Sequence, residues 1–111
     1  MFLFISLILL SCETDLPIEC EEMCQSAEVL TETCLMEWEL DWDAAGYENN
    51  SDFQESCRTW IWEQQLLIED ANSLGEQTPN LAALCQERNT ILKADQRDCS
   101  NIGLWGETIT E

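Results

Sequence analysis

Seven cysteines are the side chains in this sequence most able to form covalent bonds. An odd number of cysteines in an exported protein leaves one thiol without a disulfide partner. If Cys12 has another role, six remain, which is enough for three disulfides. Because no Cys-x-x-Cys pair occurs among them, the spacing favours structural disulfides over a zinc cluster or a thioredoxin-like dithiol. The predicted disulfide cysteines are Cys20, Cys24, Cys34, Cys57, Cys85 and Cys99.

Histidine is absent from the sequence, and this limits the catalytic chemistry that the chain can perform. A Ser-His-Asp or Cys-His arrangement cannot be built without it. Carboxylates are so numerous, 23 in all, that no pair stands out as a general acid and base. We therefore expect a protein that is not an enzyme, with no catalytic residues and no organic cofactor.

One acidic stretch has the spacing of metal ligands. Asp41, Asp43 and Asp52 stand at positions 1, 3 and 12 of a segment that partly resembles an EF-hand loop, with Gly46 at position 6. The segment departs from that pattern at position 5, where Ala45 offers no side-chain ligand. The three aspartates are the candidate ligands for Ca²⁺, and a polar connector between two helices is the alternative.

The charge of the chain restricts its partners. With 23 acidic and 4 basic residues, the formal net charge is −19. Nucleic-acid binding requires lysine and arginine to neutralise phosphates, so we exclude nucleic acid as a partner. Cations and basic proteins remain the partners that electrostatics favours, and a merely solvating acidic surface is the alternative.

The first twelve residues have the form of an export signal. An apolar run of ten residues is too short to span a bilayer but fits a signal peptide. It ends in Leu9, Leu10, Ser11 and Cys12, which resemble the lipobox of bacterial lipoproteins. The resemblance implies cleavage before Cys12, attachment of diacylglycerol and palmitate to that residue, and a place in the bacterial cell envelope. The alternative is an ordinary signal peptide, an incidental Cys12 and a freely secreted protein.

Three amphipathic segments follow the signal. Apolar residues recur at spacings of three and four over residues 18–40, 51–74 and 79–97, which predicts three helices. Ser51 and Thr78 are the predicted N-caps of the second and third helices, and Gly75 is the predicted end of the second. The predicted fold is a small all-α bundle of about three helices, held together by disulfides.

The same features divide the chain into four parts. Residues 1–11 form the signal peptide, and 12–17 form the lipidated N-terminus and a short tether. Residues 18–99 form the disulfide-rich helical domain. Residues 100–111 are predicted to be a loosely ordered C-terminal tail.

Antiparallel packing of the first two helices predicts one disulfide in particular. Cys34 lies shortly before the end of the first helix and Cys57 shortly after the start of the second, so we expect Cys34 to pair with Cys57. Cys85 is expected to pair with Cys24 or Cys20, and Cys99 with the cysteine that remains.

Tryptophan is the second unusual component, with five in the chain. Trp38 and Trp60 fall on the predicted core faces. Trp42 and Trp62 point partly outward and, with Tyr47, form a candidate contact patch. The alternative is that these aromatic rings cover the corner between the first two helices.

These observations predict a non-enzymatic, membrane-anchored acidic lipoprotein that acts as an envelope component or through contact with another protein. Its partners are then the membrane, through the lipid, and an unidentified protein. A calcium- or cation-responsive binding module and a freely secreted signalling or effector domain are the alternatives.

Overall fold

The computed structural model describes residues 16–109, and all of the regular structure in this range is helical. The three α-helices are α1 (Ile18–Glu37), α2 (Asn50–Ser73) and α3 (Leu81–Ala94). The three short 3₁₀ turns are Trp42–Ala45, Cys99–Asn101 and Leu104–Gly106. The predicted all-α bundle is therefore confirmed. The predicted signal peptide and Cys12 lie outside the described residues.

The starts of α2 and α3 differ slightly from prediction because asparagines cap both helices. The side-chain oxygen of Asn49 accepts a hydrogen bond from the N–H of Asp52 at 2.9 Å, so α2 begins before the predicted cap at Ser51. Asn80 caps α3 in the same way, at 3.0 Å, two residues after Thr78. Asparagine satisfies the free N–H groups of a first helical turn as well as serine or threonine does.

The ends of α1 and α2 both depend on a left-handed residue. Glu39 has a φ of 58°, and the chain reverses there so that the N–H of Leu40 donates to the carbonyl of Leu35 at 2.8 Å. This turn ends α1 earlier than the predicted Leu40. Gly75, with a φ of 81°, follows α2 as predicted, because glycine adopts this conformation without steric cost.

Helices α1 and α3 run parallel to each other, and α2 runs antiparallel to both. Contacts along α1 and α3 occur in the same order in both helices. From their starts onward these contacts are the Cys20–Cys85 disulfide, the Ser26–Asn89 hydrogen bond and the Cys34–Cys99 disulfide. In α2 the order is reversed, because Asn50 bonds to Glu28 while Cys57 is bonded to Cys24.

The core lies where one stripe of each helix meets. Its members are buried and lie at helical spacings of three and four, as the periodicity of the sequence predicted. They are Cys20, Met23, Cys24, Ala27, Leu30, Cys34, Phe53, Cys57, Ile61, Leu81, Cys85 and Leu92. The disulfides are therefore part of the packed interior and also link the three helices covalently.

The predicted Cys34–Cys57 disulfide is wrong. Cys57 is bonded to Cys24, and Cys34 is bonded to Cys99. The prediction assumed a tight hairpin, whereas the connector of residues 38–49 carries the chain back along α1 before α2 begins. The start of α2 therefore lies beside Glu28, where the Asn50 side chain donates to its carboxylate at 3.0 Å. The Cys20–Cys85 disulfide agrees with one of the two predicted partners of Cys85.

The second half of α2 extends past the start of α1. The last fully buried residue of α2 is Ile61, and α1 begins only six residues before Cys24, the partner of Cys57. Residues 62–73, here called the α2 overhang, consequently expose Trp62 and Leu67, which are 44% and 63% accessible. The overhang lies at the same end of the bundle as the start of α1.

The segment after Cys99 is not a loosely ordered tail as far as residue 109. It forms two 3₁₀ turns, and Trp105 packs on Phe53 with ring centroids 5.5 Å apart. A guanidinium nitrogen of Arg88 donates to the carbonyl oxygens of Trp105 and Glu107, both at 3.0 Å. The disulfide at Cys99 brings this segment to α1, and the hydrogen bonds from α3 hold it in place.

Candidate functional site

An aromatic cluster lies between the first half of α2, the connector and the segment after Cys99. It contains Trp42, Tyr47, Phe53, Trp60 and Trp105, which come from three separate segments of the chain. Phe53 is fully buried at its centre, 5.4 Å from Trp42, 5.1 Å from Tyr47 and 5.5 Å from Trp105 between ring centroids. Most of these pairs meet edge to face, the arrangement that the aromatic quadrupole favours.

Arg88 supports the cluster from α3. Its guanidinium carbon lies 5.7 Å from the centroid of Trp60, within the range of a cation–π contact. Trp60 in turn meets Trp105 edge to face at 5.9 Å. Since Arg88 also donates to the carbonyls of Trp105 and Glu107, one side chain orders both the ring of Trp60 and the backbone around Trp105.

Beside this cluster is an open groove, here called the aromatic groove, with a cavity volume of about 460 Å³. Its walls are the end of α1, the connector, the first half of α2 and the segment after Cys99. The lining residues are Thr31, Leu35, Trp38, Leu40, Ala44, Ala45, Tyr47, Phe53, Trp60, Ile102, Gly103, Trp105 and Gly106. None of these residues is charged, and the volume lies within the range typical of sites for small ligands and side chains.

Tyr47 lines the aromatic groove, and its surroundings alter the pKa of its phenol. Partial burial raises the pKa of its phenol above the usual 10.0, and the nearby carboxylate of Asp52 raises it further. Both effects disfavour the phenolate. Tyr47 therefore presents a neutral hydroxyl, able to donate or accept a hydrogen bond, at physiological pH.

The structure brings together only part of the predicted contact patch. Trp42 and Tyr47 meet edge to face with centroids 6.3 Å apart. Trp62 lies on the α2 overhang, roughly opposite Trp60 around the helix axis, and does not join them. Trp38 was predicted to lie in the core, and this prediction is wrong. It is 49% accessible at the rim of the aromatic groove, because α1 ends immediately before it.

The three aspartates proposed as calcium ligands are not gathered into one site. Across residues 16–109, no three acidic or cysteine side chains converge in a way that could hold a metal ion. Asp43 lies in a 3₁₀ turn rather than an open loop, and the carboxylate of Asp52 accepts the N–H of Glu48 at 2.9 Å. Asp52 thus stabilises the start of α2, where negative charge is favoured.

Arg88 and the segment containing Trp105 are parts of the site that were not predicted from the sequence. Arg88 is one of only four basic residues, but its position in the sequence does not indicate that it contacts a tryptophan. The spacing of six residues between Cys99 and Trp105 was a signal that a disulfide would carry this tryptophan to α1. Without the correct partner of Cys99, that signal could not be used.

The fold and the site together define the kind of protein this is. It is a disulfide-linked helical bundle that is strongly acidic overall and has an uncharged aromatic groove. No protein-family model matches the chain, and no curated protein and no solved structure matches it either. Within residues 16–109, none of the helices combines the length and the apolar character that crossing a bilayer requires. The three disulfides are compatible with an oxidising, extracytoplasmic compartment.

Proposed function

We propose that this protein is a lipid-anchored, extracytoplasmic contact module that binds another protein through its aromatic groove. The observation that carries the proposal is the position of the groove. It is a largely apolar concavity at the end of α1, whereas the chain from Cys12 enters the bundle at the start of α1.

This arrangement would keep the groove away from a membrane that held a lipid on Cys12. The tether from Cys12 to Pro17 reaches roughly 20 Å when extended. The first residue of α1 that lines the groove is Thr31, and α1 starts at Ile18, so the helix adds about 20 Å between its start and the near edge of the groove. A lipid on Cys12 would therefore hold the bundle near the bilayer and leave the groove accessible from the other side.

The lipid itself is proposed on the basis of the lipobox. Three disulfides account for the six cysteines other than Cys12, so this thiol has no cysteine partner within the chain and is available for acylation. A single acyl chain gives only marginal membrane binding. An acidic protein gains no help from anionic lipids, so the proposal requires more than one chain on Cys12.

The anchor is tested by the intact mass of the protein purified from its own host and alkylated without reduction. The expected species begins at Cys12, is heavier by several acyl chains, and carries no alkylated cysteine. A lipid-free species in the medium with one alkylated thiol would instead support the freely secreted effector.

The contact role is tested by photocrosslinking in intact cells. A photoreactive amino acid replaces Leu40 at the groove or, as a control, Leu67 on the α2 overhang, both of which are exposed apolar side chains. We expect a discrete adduct from position 40 alone. Adducts from both positions, or from position 67 alone, would contradict a contact role for the groove.

A further inference from the structure

We infer that the aromatic groove takes a basic peptide segment, inserting an aliphatic or aromatic side chain while flanking lysines or arginines lie along the acidic rim. This inference rests on the proposed contact function and specifies the chemistry of the partner. The apolar surface and the electrostatics of this end of the bundle each support it.

The apolar surface is larger than the groove. Trp38 and Leu40 line the groove and are 49% and 48% accessible, and Met36, two residues before Trp38, is 71% accessible. Together with the cavity of about 460 Å³, they make a surface that a small molecule inside the groove would leave mostly uncovered. A peptide of several residues covers both the cavity and its edge, and a protein partner gains most from such buried anchors near the centre of an interface.

The electrostatics select a basic peptide over a neutral or acidic one. The last turn of α1 contains no basic residue, so no positive side chain offsets the partial negative charge at this end of the helix. Glu37, Glu39, Asp41 and Asp43 are exposed, and in sequence they flank the lining residues Trp38, Leu40 and Ala44. The floor of the groove is uncharged, so the site combines an apolar centre with a negative edge.

Arg88 is the basic side chain that contacts the aromatic cluster, but it does not neutralise the acidic side chains near the groove as a basic partner would. Arg88 is committed to the ring of Trp60 and to the carbonyl oxygens of Trp105 and Glu107. One guanidinium nitrogen donates to both carbonyls, so its hydrogen atoms are already used within the protein. Among the described residues, Arg88 forms no salt bridge with a rim carboxylate.

The α2 overhang provides a matched control surface. Trp62 is 44% accessible, close to the 49% of Trp38, and Glu69 and Asp70 are exposed further along the overhang. The overhang therefore shares apolar exposure and negative charge with the groove, but its helix surface is convex. Binding that depends on the groove must distinguish the two surfaces.

The experiment measures binding of a fluorescently labelled peptide of alternating lysine and leucine to the full chain by anisotropy. Trp38→Ala is expected to weaken binding about tenfold, whereas Trp62→Ala changes it less than about twofold. Glu37→Gln with Glu39→Gln is expected to weaken binding about threefold or more at low salt and to reduce its salt dependence. Glu69→Gln with Asp70→Asn removes equal charge from the overhang and is expected to have a smaller effect. Circular dichroism checks that every variant is folded.

Four results would overturn the inference. Equal losses from the groove and overhang variants would mean that the peptide responds only to net charge. If a lysine–serine peptide bound as tightly as the lysine–leucine peptide, the groove would not be binding an apolar side chain. If a glutamate–leucine peptide bound as tightly, the partner would not need to be basic. Displacement of the peptide by tetramethylammonium at equal concentration would indicate a small organic cation as the occupant.

The failure of this inference is distinguishable from failure of the proposed function. If the crosslink from position 40 captures a partner whose contacting peptide is not basic, the contact role stands and the partner chemistry is wrong. If the crosslink also fails, the contact role is wrong as well.

Discussion

Removing the Cys34–Cys99 disulfide is the perturbation that most directly tests how this fold holds its site. We predict that Cys34→Ala with Cys99→Ala lowers the free energy of unfolding by about 3–4 kcal/mol. The two cysteines are 65 residues apart in sequence. However, the Cys20–Cys85 bridge shortens the path between them to roughly 28 residues, and the estimate uses this shorter loop.

The loss is expected to be concentrated at the aromatic groove. Cys99 brings the following segment to α1, so releasing it frees Trp105 to leave Phe53 and Trp60. The two hydrogen bonds from Arg88 remain. We therefore expect partial rather than complete release, seen as a change in tryptophan fluorescence before global unfolding.

Urea unfolding followed by circular dichroism and by tryptophan fluorescence measures both effects. The control is Cys24→Ala with Cys57→Ala, which should destabilise the bundle without an early fluorescence change. Digestion of the unreduced protein after glutamate checks the pairing itself, because a glutamate separates each cysteine from the next. Recovery of Cys34 linked to Cys57, or a stability loss below about 1 kcal/mol, would refute the reasoning.

Three further predictions follow from individual contacts. The single tyrosine, Tyr47, should titrate above pH 10.0, as followed by tyrosinate absorbance. Asp52→Asn should lower that pKa only partly, since burial is the larger cause. Because the folded state holds the phenolic proton more tightly than the unfolded state, stability should be intact below pH 10 and fall as the pH rises through the folded pKa. Replacing Asn89 with alanine leaves the buried hydroxyl of Ser26 without its partner and should cost about 1–3 kcal/mol. A loss below about 0.5 kcal/mol in urea unfolding would contradict it. Hydrogen exchange should be faster for residues 64–73 of α2 than for the buried first half of that helix, and uniform protection would contradict the overhang.

Helix periodicity was the property that the sequence displayed most directly. Apolar residues spaced by three and four identified all three helices, and they identified the stripe of α1 from Cys20 to Cys34 that forms the core. These are local features, because each helix presents its own apolar face whatever it later packs against. The N-caps of α2 and α3 each differ from prediction by two residues, since asparagine, serine and threonine are all good N-caps.

The groove could not be predicted in the same way, because its residues come from four segments. Trp42, Tyr47 and Trp105 have no periodic relation to one another, and only the chain reversal at Glu39 and the bridge at Cys99 bring them together. A contact patch that grouped Trp62 with Trp42 failed for the same reason. Whether a side chain points outward from its helix depends on the sequence of that helix alone. Whether two segments lie close together depends on the tertiary structure.

By itself, the sequence determined the acidic surface, the helical class and the six cysteines that pair. Each of these follows from composition or from spacing within one segment. Only the tertiary structure decided which cysteines pair and where the aromatic rings meet. Both depend on how far α2 is displaced along α1, and that displacement is set by the path of the connector and by packing in the core, not by the residues of either helix alone.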